Sequence, residues 1–225
     1  MLYDFMNSKT IVDYSIGNYR FFSDDGINYK LTENNNQWME YNNIEKTSYE
    51  EMYNMYDLAY GDCVVSGYGF GFLIQMLISK ESVNRIRVYE KSIEVIEINR
   101  RFGKIPENVE IINERIEKMK GVECDCLLMD HWELEGFLFK KENMRNIISK
   151  NNPKLVWFWT HEIEFLKWIN NQKNDFTTRY GNNYDTELHF DIIYSQWLQE
   201  LSIPSIPYIS KDKMKLYIDN YRNKL

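Results

Sequence analysis

The sequence is poor in cysteine, histidine and long apolar runs, and each shortage removes a class of protein. Its three cysteines, Cys63, Cys124 and Cys126, are odd in number, show no C-x-x-C spacing and follow no secretory leader. Neither a disulfide framework nor a zinc site is indicated, and reduced, buried thiols are expected. The three histidines are scattered, and His161-Glu162-Ile163-Glu164 lacks H-E-x-x-H spacing, so no metal site is expected. No apolar stretch reaches the roughly 18 residues of a membrane span, and Met1-Leu2-Tyr3-Asp4 lacks the basic-then-apolar order of a signal peptide. A cytoplasmic protein is expected. Basic residues are also in deficit, 27 Lys and Arg against 34 Asp and Glu, a net charge of −7. That balance opposes a broad grip on phosphates, so nucleic acid is not the expected partner.

What is present suits a folded chain. Hydrophobic residues make up 44% and charged residues 27% of 225 residues, enough for a packed core. No internal repeat or low-complexity linker interrupts it. Residues 1–46 read as a β-rich extension: turn signals at Asp24-Asp25-Gly26 and Asn34-Asn35-Asn36 separate short aromatic runs such as Tyr19-Arg20-Phe21-Phe22. Residues 47–225 read as a second unit, beginning with a helix over Thr47 to Leu58 that has Thr47 or Ser48 at its N-cap.

From there, short apolar runs alternate with helical stretches. Strands are expected at Cys63-Val64-Val65, Arg85 to Tyr89, Val109 to Ile112, Cys126 to Met129 and Leu155 to Trp159. Helices are expected over Phe72 to Ile78, Ser92 to Phe102 and Asn143 to Lys150. Such alternation builds βαβ units and a parallel sheet. Beyond Trp159 the pattern turns helical, over Glu162 to Asn170 and Thr186 to Leu201. The tryptophans Trp157, Trp159, Trp168 and Trp197 are expected to serve the core rather than to stack on bases.

One constellation carries chemistry. Ser66-Gly67-Tyr68-Gly69-Phe70-Gly71 sets three glycines at alternate positions where a buried strand meets a helix, so backbone can approach a ligand without Cβ obstruction. A dinucleotide fingerprint requires its third glycine where Phe72 stands, so a ligand without a pyrophosphate is favoured. Glu90 closes the next strand, near the spacing of roughly 20 residues at which an acid meets a ribose. The fourth strand ends in Asp130, at the sheet edge where ligands of open α/β folds bind.

This stretch, roughly Thr47 to Trp159, resembles class I S-adenosylmethionine-dependent methyltransferases, including their spermidine-synthase-like branch. The resemblance implies a Rossmann-like α/β fold: a mostly parallel sheet flanked by helices, a small N-terminal β extension and a helical C-terminal part. It also implies S-adenosylmethionine as cofactor, with Gly67, Tyr68, Gly69 and Gly71 beside its methionine part. Glu90 and Lys91 would stand at the ribose, and Asn113, Glu114 and Arg115 at the adenine. Asp130 would be the catalytic residue, facing the transferred group, with Tyr49, His131 and Trp132 lining an acceptor pocket. Gln37-Trp38-Met39-Glu40, followed by Thr47 and Glu50, resembles a lead-in of small phage-encoded methyltransferase-like proteins, which would place the chain in a host cytoplasm. Tyr49-Glu50-Glu51-Met52 resembles the lead-in of aminopropyltransferases.

The departures narrow the activity. Asp130 is followed by His131 and Trp132, not by the Pro-Pro-Tyr of amino-directed nucleic-acid methyltransferases, and no Pro-Cys pair offers a C5-cytosine nucleophile. The loop lacks the acid of the Gly-Gly-Gly-Asp-Gly loop of aminopropyltransferases. The expected activity is methyl transfer to a small-molecule or protein acceptor, achieved mainly by positioning. The alternatives are aminopropyl transfer and non-catalytic cofactor binding by a viral protein.

Overall fold

The computed structural model describes residues 2–42, 52–103, 105–130, 145–158, 165, 167–169, 190–200, 212 and 216. The chain opens with a short helix, α1 (Leu2–Asn7), in a stretch whose sequence reads as irregular. Its apolar side is recruited by tertiary contact: Met6 is fully buried and the Phe5 ring lies 4.9 Å from that of Phe102. Six residues are too few to form a stable helix alone, and periodicity is hard to read over so short a run.

Four antiparallel strands follow as a meander, β1 (Val12–Ile16), β2 (Tyr19–Ser23), β3 (Asn28–Glu33) and β4 (Asn36–Asn42). Turn chemistry fixes their connections. Asn34 and Asn35 carry φ of +51° and +65°, the left-handed pair that a two-residue hairpin demands and asparagine tolerates. Between β2 and β3, the Asp25 carboxylate accepts 2.8 Å bonds from the amides of Ile27 and Asn28, which hold its pKa down to about 2. Tyr29 ties the meander to the segment before β1, donating to the Thr10 carbonyl at 2.8 Å and accepting from the Thr10 amide at 3.0 Å.

After α2 (Tyr53–Leu58) the alternating part begins: β5 (Gly61–Ser66), α3 (Phe72–Ile78), β6 (Val83–Tyr89), α4 (Ile93–Phe102), β7 (Val109–Ile112), β8 (Cys126–Met129) and β9 (Leu155–Phe158). The five strands are parallel in the order β7-β6-β5-β8-β9. This Rossmann-like order reverses direction between β5 and β8, which creates a crevice at their carboxyl ends. Continuous burial of Cys63 to Ser66, Cys126 to Met129 and Leu155 to Phe158 explains why these strands are apolar runs rather than alternating ones. The three thiols are free and buried. Residues 145–151 are helical, as are 165, 167–169 and α5 (Phe190–Glu200), which lays Tyr194 and Trp197 into the core beside Phe165 and Phe158. Trp157 and Trp197 are thus core residues.

Aromatic rings join the meander to the parallel sheet's helices. Phe102 of α4 meets Phe5, Tyr14 and Phe21 with ring centres 4.9, 5.5 and 5.1 Å apart, and Tyr41 meets Phe72 at 5.2 Å. Each such pair contributes about 0.5–1.5 kcal/mol beyond its burial. Both sheets therefore share one apolar cluster, and the meander is held against the first turn of α3, where the glycine loop ends.

Candidate functional site

The loop between β5 and α3 follows from its residues one at a time. Gly67, Gly69 and Gly71 all lie in the left-handed region, with φ of +89°, +51° and +77°. That conformation is strained for residues bearing a Cβ. The Gly67 amide donates to the Tyr89 carbonyl at 2.9 Å, which binds the loop to β6 as the chain leaves β5. The residues between the glycines point inward: Tyr68 is 6% exposed and Phe70, also buried, sets its ring 6.1 Å from Phe21 of β2. Burial pushes the Tyr68 phenol up to about 12. A Cβ on Gly71 would stand 2.9 Å from the Tyr68 ring, so Gly71 is required by the loop's own packing.

Glu90 is the electrostatic centre. It is 2% exposed, yet one carboxylate oxygen accepts from the Tyr68 amide at 2.9 Å and the other from the Ser92 amide at 2.8 Å. Burial raises its pKa, and the two amide bonds pull in the opposite direction without cancelling the effect. One side chain therefore ties the glycine loop to the start of α4. Ser92 continues the junction as the N-cap of α4, accepting from the Val95 amide at 3.2 Å and donating to Glu94 at 2.8 Å.

Two asparagines complete the frame. Asn99, on α4, donates from Nδ2 to the carbonyls of Gly69 and Val95, both at 2.9 Å. Asn113, just past β7, donates to the carbonyls of Glu90 and Lys91 at 3.0 and 3.2 Å, clipping together the ends of β6 and β7. Lys91, Glu114 and Arg115 are exposed on the rim of this edge. Asp130 leaves β8 half-buried, its amide donating to the Ser66 carbonyl at 2.9 Å. Glycine loop, Glu90, Asn113 and Asp130 thus lie at the carboxyl ends of four parallel strands. Tyr49, His131 and Trp132, and also Thr47, Ser48, Trp159 and His161, lie outside the described residues.

The meander reaches this site, which the sequence does not announce. Tyr19 of β2 stands near Ser92 and Glu33, and its burial pushes the phenol up to about 12. Trp38 of β4 packs edge-on against Tyr19, with ring centres 5.9 Å apart. Met39 of β4 stands against Gly69, where a Cβ would be 2.8 Å from both its Sδ and its Cε. Gly69 lies 30 residues along the chain from Met39 and Ser92 lies 73 from Tyr19, and no local pattern encodes such contacts. Two hints lie in the sequence: the aromatic character of Tyr68 and Phe70, unneeded for a loop that merely bends, and the lead-in resemblance of Gln37-Trp38-Met39-Glu40.

Fold and site together define a Rossmann-like α/β protein with a glycine loop after its first parallel strand and a buried acid after its second. No family model and no curated protein matches the chain. Solved structures similar to it include spermidine synthase from Thermotoga maritima, 17% identical over 64% of this chain and 54% of that one, with a TM-score of 0.48. DhpI in complex with SAH is 17% identical over 51% and 56% of the two chains, with a TM-score of 0.41. The N-methyltransferase NodS from Bradyrhizobium japonicum WM9 is 13% identical over 67% and 81%, also with a TM-score of 0.41. The chain spans about half the length of the spermidine synthase it matches.

Proposed function

We propose that the chain binds S-adenosylmethionine at the carboxyl edge of its parallel sheet and transfers the methyl group to a small-molecule or protein acceptor. The observation that carries this reading is Glu90. A buried carboxylate, oriented by two backbone amides at the end of the strand beside the glycine loop, still has lone pairs for a pair of vicinal hydroxyls. The pair of acceptor oxygens suits a ribose, and a loop of alternate glycines that departs from the pyrophosphate pattern suits a nucleoside without a diphosphate.

In this reading Glu90 holds the ribose hydroxyls while Gly67 and Gly69 let the backbone close on the rest of the ligand. Asn113, Glu114 and Arg115 border the base, and Lys91 flanks the ribose from the rim. S-adenosylmethionine held there would supply a sulfonium-activated methyl carbon, whose bond to sulfur breaks as the acceptor lone pair takes it and S-adenosylhomocysteine leaves. Asp130, across the switch point from Gly67, orients the acceptor and takes up its proton. Tyr49, His131 and Trp132 are assigned to the acceptor pocket by sequence position. The protein's contribution is chiefly alignment, which in favourable geometry supplies about 7–11 kcal/mol of a bimolecular barrier.

Calorimetric titration with S-adenosylmethionine and with its decarboxylated form, on the native chain and Glu90→Gln, tests the reading. Preference for the carboxylated ligand, weakened at least tenfold in Glu90→Gln, is expected from the loss of a charge-assisted contact worth about 1.5–3 kcal/mol. Preference for the decarboxylated ligand would instead assign aminopropyl transfer, and binding without release of S-adenosylhomocysteine to any acceptor would leave a cofactor-binding protein.

A further inference from the structure

We infer that Met39 of the N-terminal meander is the gate of the cofactor site, its thioether standing in the space against Gly69 that the ligand must enter. The inference rests on the proposed cofactor reading and adds to it the element that controls access. In glycine loops of this fold class the middle glycine is bare so that a ligand can press against the backbone. Here the direction in which a Cβ on Gly69 would point is filled by Met39, 2.8 Å away at both Sδ and Cε. Gly69 is bare, and a protein side chain occupies the bareness.

Three further features make Met39 movable rather than part of a fixed wall. It lies on β4, an edge strand of the meander, so among the described residues its backbone is paired on one side only. It is partly buried, packed on the core with one side open. Its side chain is unbranched, and rotation about its flexible torsions moves the sulfur without moving the strand. The loop beneath it is fixed, by contrast, through Asn99 on the Gly69 carbonyl and Glu90 on the Tyr68 amide. When a ligand enters, the methionine gives way and the loop stays.

A blocked ground state lowers apparent affinity by the fraction of molecules that are open. Met39→Ala removes the thioether, and S-adenosylmethionine is expected to bind about three- to tenfold tighter, the equivalent of one methionine packing contact, with the gain in the association rate. Met39→Leu keeps a plug of similar volume and should stay within about twofold of the native chain. Stopped-flow binding of S-adenosylmethionine and S-adenosylhomocysteine to the three proteins reads both. Unchanged or weaker binding in Met39→Ala overturns the gate while leaving the cofactor reading intact. Failure of all three proteins to bind either ligand overturns the cofactor reading and the gate with it. The contact has its own test without ligand: Gly69→Ala should lower Tm less in the Met39→Ala background than in the native one, and equal drops would show that Met39 does not fill the space.

Discussion

Replacing Glu90 by alanine strips two buried backbone amides of their acceptor at once. Tyr68 and Ser92 are each 6% exposed, so water has little access to either amide except through the space the side chain vacates. An orphaned buried donor costs about 1–3 kcal/mol, giving about 2–6 kcal/mol for the pair. Part of this is returned, because burial of the carboxylate is itself unfavourable, as its raised pKa shows. A net loss of about 2–4 kcal/mol is expected, a large share of the 5–15 kcal/mol typical of a whole protein. Glu90→Gln keeps one acceptor oxygen and turns an NH2 toward the other amide, so it should fall between, losing about 1–3 kcal/mol. Urea denaturation followed by tryptophan fluorescence gives both values from the midpoint at constant m. If both variants stay within about 0.5 kcal/mol of the native chain, the ordinary range for surface changes, Glu90 does not tie the loop to α4.

The same residue sets a pH dependence. Burial places the folded pKa of Glu90 above its ordinary value, so between the two values the folded chain holds a proton that the unfolded chain has released. Its stabilising share is full below the ordinary glutamate value, near pH 4.3, and is lost as pH rises through the folded value. The stability advantage of the native chain over Glu90→Gln should therefore shrink on raising pH through that window, and an advantage that grows would contradict the assigned burial. Asn99→Ala leaves the Gly69 carbonyl without its donor and removes a second bond from the Val95 carbonyl, which keeps its helical one, and should cost about 1–3 kcal/mol. Asn99→Asp should cost more, since it turns an acceptor toward two acceptors, and the reverse order in urea denaturation would show that the amide bonds do not hold the loop.

The parallel sheet was legible because its strands are buried on both faces. Val64-Val65, Leu127-Leu128 and Val156-Trp157 are apolar runs whatever their partners, and α3 falls at Phe72–Ile78 as its spacing predicts. The start of α4 was legible too: the expected helix opens at Ser92, whose hydroxyl accepts from the Val95 amide and caps it. The strands of the meander were less so, since their register depends on turns, and only Asn34-Asn35 and Asp24-Asp25-Gly26 declared themselves. Helix α1 escaped because six residues carry little periodicity.

At the site, Gly67, Gly69, Gly71 and Glu90 could be picked out by spacing along the chain. Their surroundings could not. The acid's occupation by two amides, the grip of Asn99 on Gly69, and the approach of Tyr19, Trp38 and Met39 are tertiary facts set by how the meander docks. Spacing marked the loop and the acid; packing decides how a ligand reaches them.

The most direct test of the account is a crystal structure of the chain grown or soaked with S-adenosylmethionine. The account predicts ribose hydroxyls on the Glu90 carboxylate, the rest of the ligand against Gly67 and Gly69, and the Met39 side chain turned away from Gly69. Ligand density at another place, or a ligand on the loop that leaves Glu90 untouched, would contradict it.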